Sequence, residues 1–546
     1  MTRFVTAVYP YCRPTINSTA LVALVAALSV NTCLSVDLAS RAVLPMPNTT
    51  QPTSVVFDAR SPDASFPTIP QIRPPEGAPN VLVVLLDDVG FGASSAFGGP
   101  CQTPTLERLA ANGLKYNRFH TTALCSPTRQ ALLTGRNHHS AGMAAITELA
   151  TGAPGYSSVL PNSMAPLAMT LKLNGYSTAQ FGKCHEVPVW QASPVGPFDA
   201  WPTGGGGFEY FYGFIGGEAN QWYPTLYEGT TPVENKRSPE QGYHFMEDMT
   251  TKAVKWIGQQ KSLAGDRPFF MYFAPGATHA PHHVPAEWAD KYAGKFDQGY
   301  DAIRQETIAR QKQLGVIPAD CELTAPNAEV PRWADVPEGF KPVLAREMEV
   351  YAGFLEYADH NLGRIVDTLE RLQILDDTLI YYIVGDNGAS AEGGINGCFN
   401  EMSYFNGIQD LETEEYLTQQ LDKLGGVDAY NHYAVGWACA MNTPYQWTKQ
   451  CASHWGGTRN AAVVHWPNGF KAKGEIRSQF AHVIDVAPTV LEAAGLPHPT
   501  SVNGTQQDPI EGISMAYSFD DAAADDRHTT QYFEIMGNRG IYHNGW

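Results

Sequence analysis

The chain has 546 residues, 43% hydrophobic and 17% charged, a balance that supports a large folded core and excludes disorder over most of its length. With 36 Lys and Arg against 55 Asp and Glu, the formal net charge is −19, so the chain lacks the basic face that nucleic acid or an anionic membrane surface requires. An anionic ligand must therefore meet a local cluster of cations.

Residues 1–41 read as a signal peptide or N-terminal anchor. Arg3 and Arg13 precede the apolar run at 20–30, which is short for a bilayer but right for a signal-peptide core, although no clean small-x-small cleavage site follows. Export to a periplasm or the exterior is expected, with no stable membrane insertion. Residues 42–79, rich in Pro, Ser and Thr, read as an extended arm. The main domain is expected over 80–515. Short apolar runs at 81–86, 176–181, 269–274, 378–384 and 461–466 alternate with helical stretches near 103 and from about 344 to 372. This alternation predicts an α/β fold: a large, mostly parallel sheet flanked by helices on both faces, without internal repeats. The segment 391–441, rich in aromatics and glycine, interrupts the domain as either a loop bordering a ligand or a structural insertion. Beyond the leader, seven cysteines stand at 101, 125, 184, 321, 398, 439 and 451. Their spacing gives no zinc pattern, and the odd count leaves at least one sulfur unpaired, for which Cys125 is the candidate.

In such a sheet ligands gather beyond the carboxyl ends of the strands. The first run leads into Asp87 and Asp88, and the fourth into Asp386 and Asn387, a set of hard oxygen donors suited to Ca2+ or Mg2+ and not to zinc. The second leads into "GKCH", with Lys183 and His185, and the third into His279, with His282 and His283 behind it. Any one of these reads equally as a turn or a cap. Four in succession select for a site. Between the first two runs lies "LCSPTRQALLTGR", where Ser126 suits an N-cap and Pro127 the first helical position. Cys125 then sits at the positive end of a helix dipole, where an anion would bind.

"CSPTR" followed by "LLTGR" fits the pattern C-x-P-[ST]-R with Thr-Gly further on, and "LLDDVGFG", "GKCH" and "GDNG" accompany it in family order. Over roughly residues 78–546 the chain resembles type I, formylglycine-dependent sulfatases of the arylsulfatase kind, in the alkaline-phosphatase-like superfamily. The resemblance implies that a formylglycine-generating enzyme, a transient partner, oxidises Cys125 to Cα-formylglycine, with Thr134 and Gly135 in the element it recognises. It implies that Asp87, Asp88, Asp386 and Asn387 hold Ca2+, or Mg2+, together with the modified Cys125. Arg129 and Lys183 would orient the hydrated aldehyde, one hydroxyl of which attacks sulfur while the other lets the sulfated adduct collapse by elimination. His185 resembles the base for that elimination and His279 the acid that protonates the leaving oxygen.

Lys449 matches the second sulfate-binding lysine, one residue further from its Gly-Gly pair than the commoner spacing, and His454 is an alternative for that role. Cys184 replaces a tryptophan often found between the motif lysine and histidine. Residues 516–546 match the start of a smaller C-terminal subdomain that reads as incomplete, which would leave apolar surface uncovered. The implied function is hydrolysis of sulfate monoesters, aryl sulfates in particular, to inorganic sulfate and an alcohol or phenol. Three alternatives stay open: a phosphate or phosphonate ester hydrolase on the same scaffold, an inactive anion-binding fragment, and a purely structural secreted protein.

Overall fold

The computed structural model describes residues 41–46, 56–64, 69 and 71–546. The leader run at 20–30 lies outside the described residues. Among the described residues no helix is long and apolar enough to cross a membrane. Within the expected arm, Val43–Leu44 adds a short parallel pairing to Ser501–Val502.

Ten strands form the main sheet. In chain order they are β1 (Asn80–Leu85), β2 (Leu114–Tyr116), β3 (Ser177–Lys183), β4 (Tyr210–Phe214), β5 (Leu226–Glu228), β6 (Thr231–Val233), β7 (Phe269–Ala274), β8 (Thr378–Ile383), β9 (Ala462–His465) and β10 (Glu475–Arg477). Their spatial order is β10-β2-β9-β8-β1-β7-β3-β4-β5-β6. The stretch from β8 to β4 is parallel throughout, as the alternating pattern predicts. The flanks are mixed, because β9 runs antiparallel to both β8 and β2, and β5 antiparallel to β4 and β6. The five strands absent from the sequence reading are flanking strands of three to five residues, whose pairing comes from neighbours and not from their own pattern.

Strand β1 shows why its sequence is apolar from Val81 onward. Leu82 and Val84 enter the core on one face, Val81, Val83 and Leu85 the core on the other, and all five are at most 1% exposed. Burying each such side chain is worth ~1.5–3 kcal/mol, so a two-faced strand carries no polar side.

The helices that matter for the site are α1 (Pro104–Ala111), α2 (Cys125–Thr134), α3 (Gly299–Leu314), α4 (Lys341–Arg371), α5 (Val435–Met441) and α6 (Val486–Ala493). Helices α2 and α6 cover one face of the sheet, and α1, α3, α4 and α5 the other. The 31 residues of α4 span about 46 Å. Its Asp359 accepts from the backbone N–H groups of Thr105 (2.7 Å) and Leu106 (3.0 Å), filling the donors that the first turn of α1 leaves open. Its Tyr351 hydroxyl donates to the Asp88 carbonyl at 3.1 Å and so braces the loop after β1.

Near the C-terminus, strands β11 (Thr530–Ile535) and β12 (Asn538–His543) form an antiparallel hairpin. Phe533, Ile535 and Tyr542 cluster with Ala123 and Leu124, the residues just before Cys125, and with Phe480. The opposite face leaves Tyr532 and its cross-strand partner Ile541 exposed. The Tyr542 ring stacks on Phe480 at 3.9 Å, and its hydroxyl donates to Asp526 at 2.8 Å. We expect Tyr542→Ala to destabilise the protein by ~3–5 kcal/mol, the cost typical of deleting a buried ring, as a lower urea midpoint at unchanged m. An unchanged midpoint would show that the hairpin does not support the core.

Candidate active site

The four strand ends converge. After β1 the chain continues through Leu86 into Asp87 and Asp88, and this loop is tied to the loop after β7 by Asp87 N–H to Ala277 O (2.8 Å) and Thr278 N–H to Asp87 O (2.6 Å). After β8, the Asp386 N–H donates to Leu86 O at 3.0 Å. Parallel neighbours in register therefore deliver Asp87, Asp88, Asp386 and Asn387 to one point, each at most 1% exposed. Asn387 Nδ2 donates to Asp88 Oδ1 at 2.7 Å. Asp87 Oδ1 and Asn387 Oδ1 are buried without a hydrogen-bond partner, and Asp87, Asp88 and His279 bring potential ligand atoms within 4.8 Å of one another. Buried orphan oxygens are costly unless something else satisfies them.

Three cations meet this acidic centre. Arg129, fully buried on α2, reaches Asp386 Oδ2 at 2.7 Å and Asp87 Oδ2 at 3.3 Å. Lys183, the last residue of β3, reaches Asp87 Oδ2 at 2.6 Å. Lys449 lies 3.1 Å from Asp88 Oδ2, 2.8 Å from Glu392 Oε2 and 3.2 Å from His279 Nε2. Burial would lower the Lys183 and Lys449 ammonium values, but the facing carboxylates and the Cys125 thiolate win and raise them.

Cys125 is the first residue of α2, with Leu124 as N-cap, so the helix begins earlier than Ser126 and Pro127 suggest. Ser126 caps nothing, and its hydroxyl is buried without a partner. The reason is a hydroxyl bracket: Thr122 N–H donates to Thr128 Oγ1 (3.0 Å), and that hydroxyl donates to Asp386 O (2.6 Å), fixing the helix start against the β8 loop. Gly135 ends α2 at φ 68°, its N–H donating to Ala131 O, a left-handed cap for which glycine carries no Cβ penalty. Cys125 Sγ lies 3.1 Å from His185 Nδ1, and His185 Nε2 lies 2.9 Å from Glu148 Oε2. None of the seven described cysteines is in a disulfide, so Cys125 is one of several unpaired thiols.

This geometry fits what comparison finds. The sulfatase family model matches residues 79–496. The chain belongs to the sulfatase family.

The sulfatase is 33% identical over 441 residues to an uncharacterized sulfatase of Schizosaccharomyces pombe, covering 77% of this chain and 76% of that one. It is 28% identical over 449 residues to an arylsulfatase of Klebsiella aerogenes, covering 80% and 91%. Its fold resembles a sulfatase from Pseudoalteromonas sp. (TM-score 0.51, 18% identity, 85% and 77% covered). It also resembles a protein solved with its substrate D-glucosamine-2-N,6-O-disulfate (TM-score 0.54, 16% identity, 86% and 87% covered). The sulfatase is thus a sulfuric ester hydrolase acting on sulfate monoesters.

Cys125, Arg129, Lys183, His185, His279, Lys449 and the Asp87, Asp88, Asp386 and Asn387 set come together at this centre. In the sulfatase His279 donates from Nδ1 to Ala280 O at 2.7 Å, which leaves Nε2 facing Lys449. Burial and the charges of Lys449 and Lys183 push this imidazole down to about 4. His282 and His283 belong elsewhere: His283 Nε2 lies 2.7 Å from Ala429 O, and His282 packs on His432. The His454 Nδ1 lies 2.9 Å from Ser453 Oγ, whereas Lys449 Nζ contacts Asp88, Glu392 and His279. Cys184 packs with Val187, Trp201, Phe211 and Ile215, away from Cys125.

Two acidic residues escaped the sequence reading. Glu148 sits in a short helical turn with no strand end to mark it. Glu392 lies six residues after Asp386, inside the segment 391–441, which therefore contributes to the site. Several connecting residues hold positive φ without being glycine: Asp88 (55°), Ala123 (69°), His185 (56°) and Gln450 (74°). Each costs ~1 kcal/mol or more, and such strain gathers where surrounding contacts fix a functional geometry.

Burial works against charge on both Cys125 and His185, yet each stabilises the other. Lys183 and His185 bring the thiol down to about 7, while Cys125 and Glu148 raise the imidazole to about 9. In the unmodified protein a thiolate and an imidazolium therefore coexist between these values. A proton held more tightly in the folded state stabilises the fold at low pH, so the His185 contribution is complete below its free value of about 6.5 and fades as pH rises through about 9. We expect Glu148→Gln to lower the His185 titration midpoint in ring-carbon NMR of the unmodified protein. An unmoved midpoint would mean that Glu148 does not govern it.

Proposed function

We propose that the sulfatase hydrolyses aryl sulfates with a formylglycine formed from Cys125 and a Ca2+ ion, or Mg2+, held by Asp87, Asp88, Asp386 and Asn387 together with the modified Cys125. The observation that carries this reading is the placement of Cys125 Sγ, 3.1 Å from His185, at the head of α2 and beside a buried cluster of three cations and three carboxylates. The orphan oxygens of Asp87 and Asn387, with oxygen donors throughout, support the divalent ion and argue against zinc. When bound, the ion polarises a sulfate oxygen, and the hydrated aldehyde offers the oxygen nucleophile that a thiol lacks.

The chain's own residues do the rest. Arg129 and Lys183 fix the nucleophile and offset negative charge without reorganising. His185 accepts a proton at Nδ1 while Glu148 holds its Nε2 edge. Lys449 orients the sulfate, with Glu392 steering the ammonium. His279 protonates the leaving oxygen from Nε2: the arriving sulfate raises its low affinity for a proton, placing the acid form where it is needed. Thr134 and Gly135, at the end of α2, belong to the element read by the formylglycine-generating enzyme, and the run at 20–30 directs export.

The test is the mass of the tryptic peptide 119–129 from protein made in a host that carries the modifying enzyme, paired with rates on matched 4-nitrophenyl sulfate and phosphate. An aldehyde mass at position 125 with faster sulfate turnover is expected. Unmodified cysteine in fully active protein would refute the nucleophile, and faster phosphate turnover would refute the substrate class.

A further inference from the structure

A cavity of about 480 Å3 opens between α3, α5 and the loop 445–451, and its lining includes Glu392, Lys449 and Gln450. We infer that this cavity receives the leaving-group half of the sulfate ester and selects a large, apolar leaving group without a second anionic substituent. The inference rests on the reaction proposed above, and three observations carry it.

The first is position. Lys449 Nζ lies 3.2 Å from His279 Nε2, the atom that protonates the departing oxygen, so the leaving group extends from this corner. The cavity starts at the same lysine.

The second is the wall. Ile395, Tyr404 and Trp447 line the cavity and stand 49%, 39% and 42% exposed, and Val435 lines it too. Large apolar side chains exposed singly need no explanation, but several around one concavity of drug-molecule size mark a ligand site. The aromatic pair suits fused rings.

The third is charge. Three acidic residues line the cavity, Asp301, Glu329 and Glu392. Apart from Lys449 the cationic lining residue is Arg304, which is 6% exposed and donates to the Thr324 carbonyl at 3.1 Å. Asp301 already holds Arg332 at 3.1 Å and Glu392 holds Lys449 at 2.8 Å, so a second sulfate on the leaving group would have to compete with carboxylates for these cations and would face Glu329 as well. A multiply sulfated sugar is disfavoured on both counts.

The test uses the matured full-length enzyme. KM is measured for phenyl sulfate and for a fused-ring phenol sulfate of matched leaving-group acidity, and kcat/KM for a disulfated monosaccharide. The fused-ring ester should show a KM ~10-fold lower or better than phenyl sulfate, and the disulfated sugar a kcat/KM ~100-fold below either. Val435→Trp, which fills the cavity, and Ile395→Asp, at its exposed rim, should each raise the fused-ring KM at least ~5-fold while leaving phenyl sulfate within ~2-fold. Equal KM values for the two aryl esters, or preference for the disulfated sugar, would overturn the inference. Calorimetry of the sulfate-free fused-ring phenol on Cys125→Ala protein separates the two readings. Binding that Val435→Trp abolishes supports the cavity even if formylglycine-bearing enzyme turns over no sulfate, which would sink the reaction alone; absence of binding overturns the cavity assignment.

Discussion

Cys125→Ala is expected to lower aryl sulfate turnover by about 10,000- to 1,000,000-fold, the range for losing a nucleophile outright, in protein that still folds. Cys125 is 2% exposed and its Sγ contacts His185, so the variant loses one small buried atom and one polar contact. Such a change costs ~1 kcal/mol, about 1 °C in a chain of this size. The α2 start does not depend on the thiol, because the Thr122 and Thr128 hydroxyls hold it. Initial rates and a thermal scan on the same preparation check both halves. Turnover within ~10-fold of the parent would remove Cys125 from the mechanism. Cys125→Ser is more discriminating: with one hydroxyl it should give at most a single turnover per site, read as a stoichiometric burst.

Asp386→Ala should lose the divalent ion and activity together and should also weaken the fold. Asp386 Oδ2 is the nearest partner of Arg129, whose guanidinium is fully buried, and Asp386 Oδ1 accepts from the Asp88 N–H at 3.4 Å. Removing this carboxylate leaves Arg129 with the longer contact to Asp87. A buried charge left wholly unpaired costs ~3–5 kcal/mol; with Asp87 retained the loss is smaller, and the metal-free variant should still melt below the metal-free parent. Burial and neighbouring Asp87 push the Asp386 carboxyl value well up, with Arg129 and Lys183 opposing. Asp386→Asn keeps an oxygen acceptor and should retain more stability than Asp386→Ala while still losing metal affinity. Elemental analysis of dialysed protein decides the ligand assignment. Normal metal content in Asp386→Ala would reject it.

The two substitutions divide the site by function. Cys125 is isolated enough in energy to remove cleanly. Asp386 serves structure and chemistry at once, so its loss is read correctly only against both metal-free and metal-bound parents.

The amino-acid sequence by itself determined the parallel strands from β8 to β3, because runs such as 81–86 and 379–384 show no polar alternation and only a sheet covered on both faces uses them. It also pointed to the motif residues, since Asp87, Asp88, Lys183, His279, Asp386 and Asn387 lie at strand ends or in the loops just after them, and strand ends in a parallel sheet share one edge. Tertiary structure alone decided the rest. Glu148 and Glu392 lie on short turns whose sequences resemble any other, and their roles exist only because folding sets them 2.9 Å from His185 and 2.8 Å from Lys449. The start of α2 is another case: local capping preference pointed to Ser126, but a threonine bracket anchored to Asp386 placed Cys125 inside the helix. Periodicity and spacing report contacts along the chain, whereas charge pairs closed across 37 and 57 residues depend on packing that no local pattern encodes.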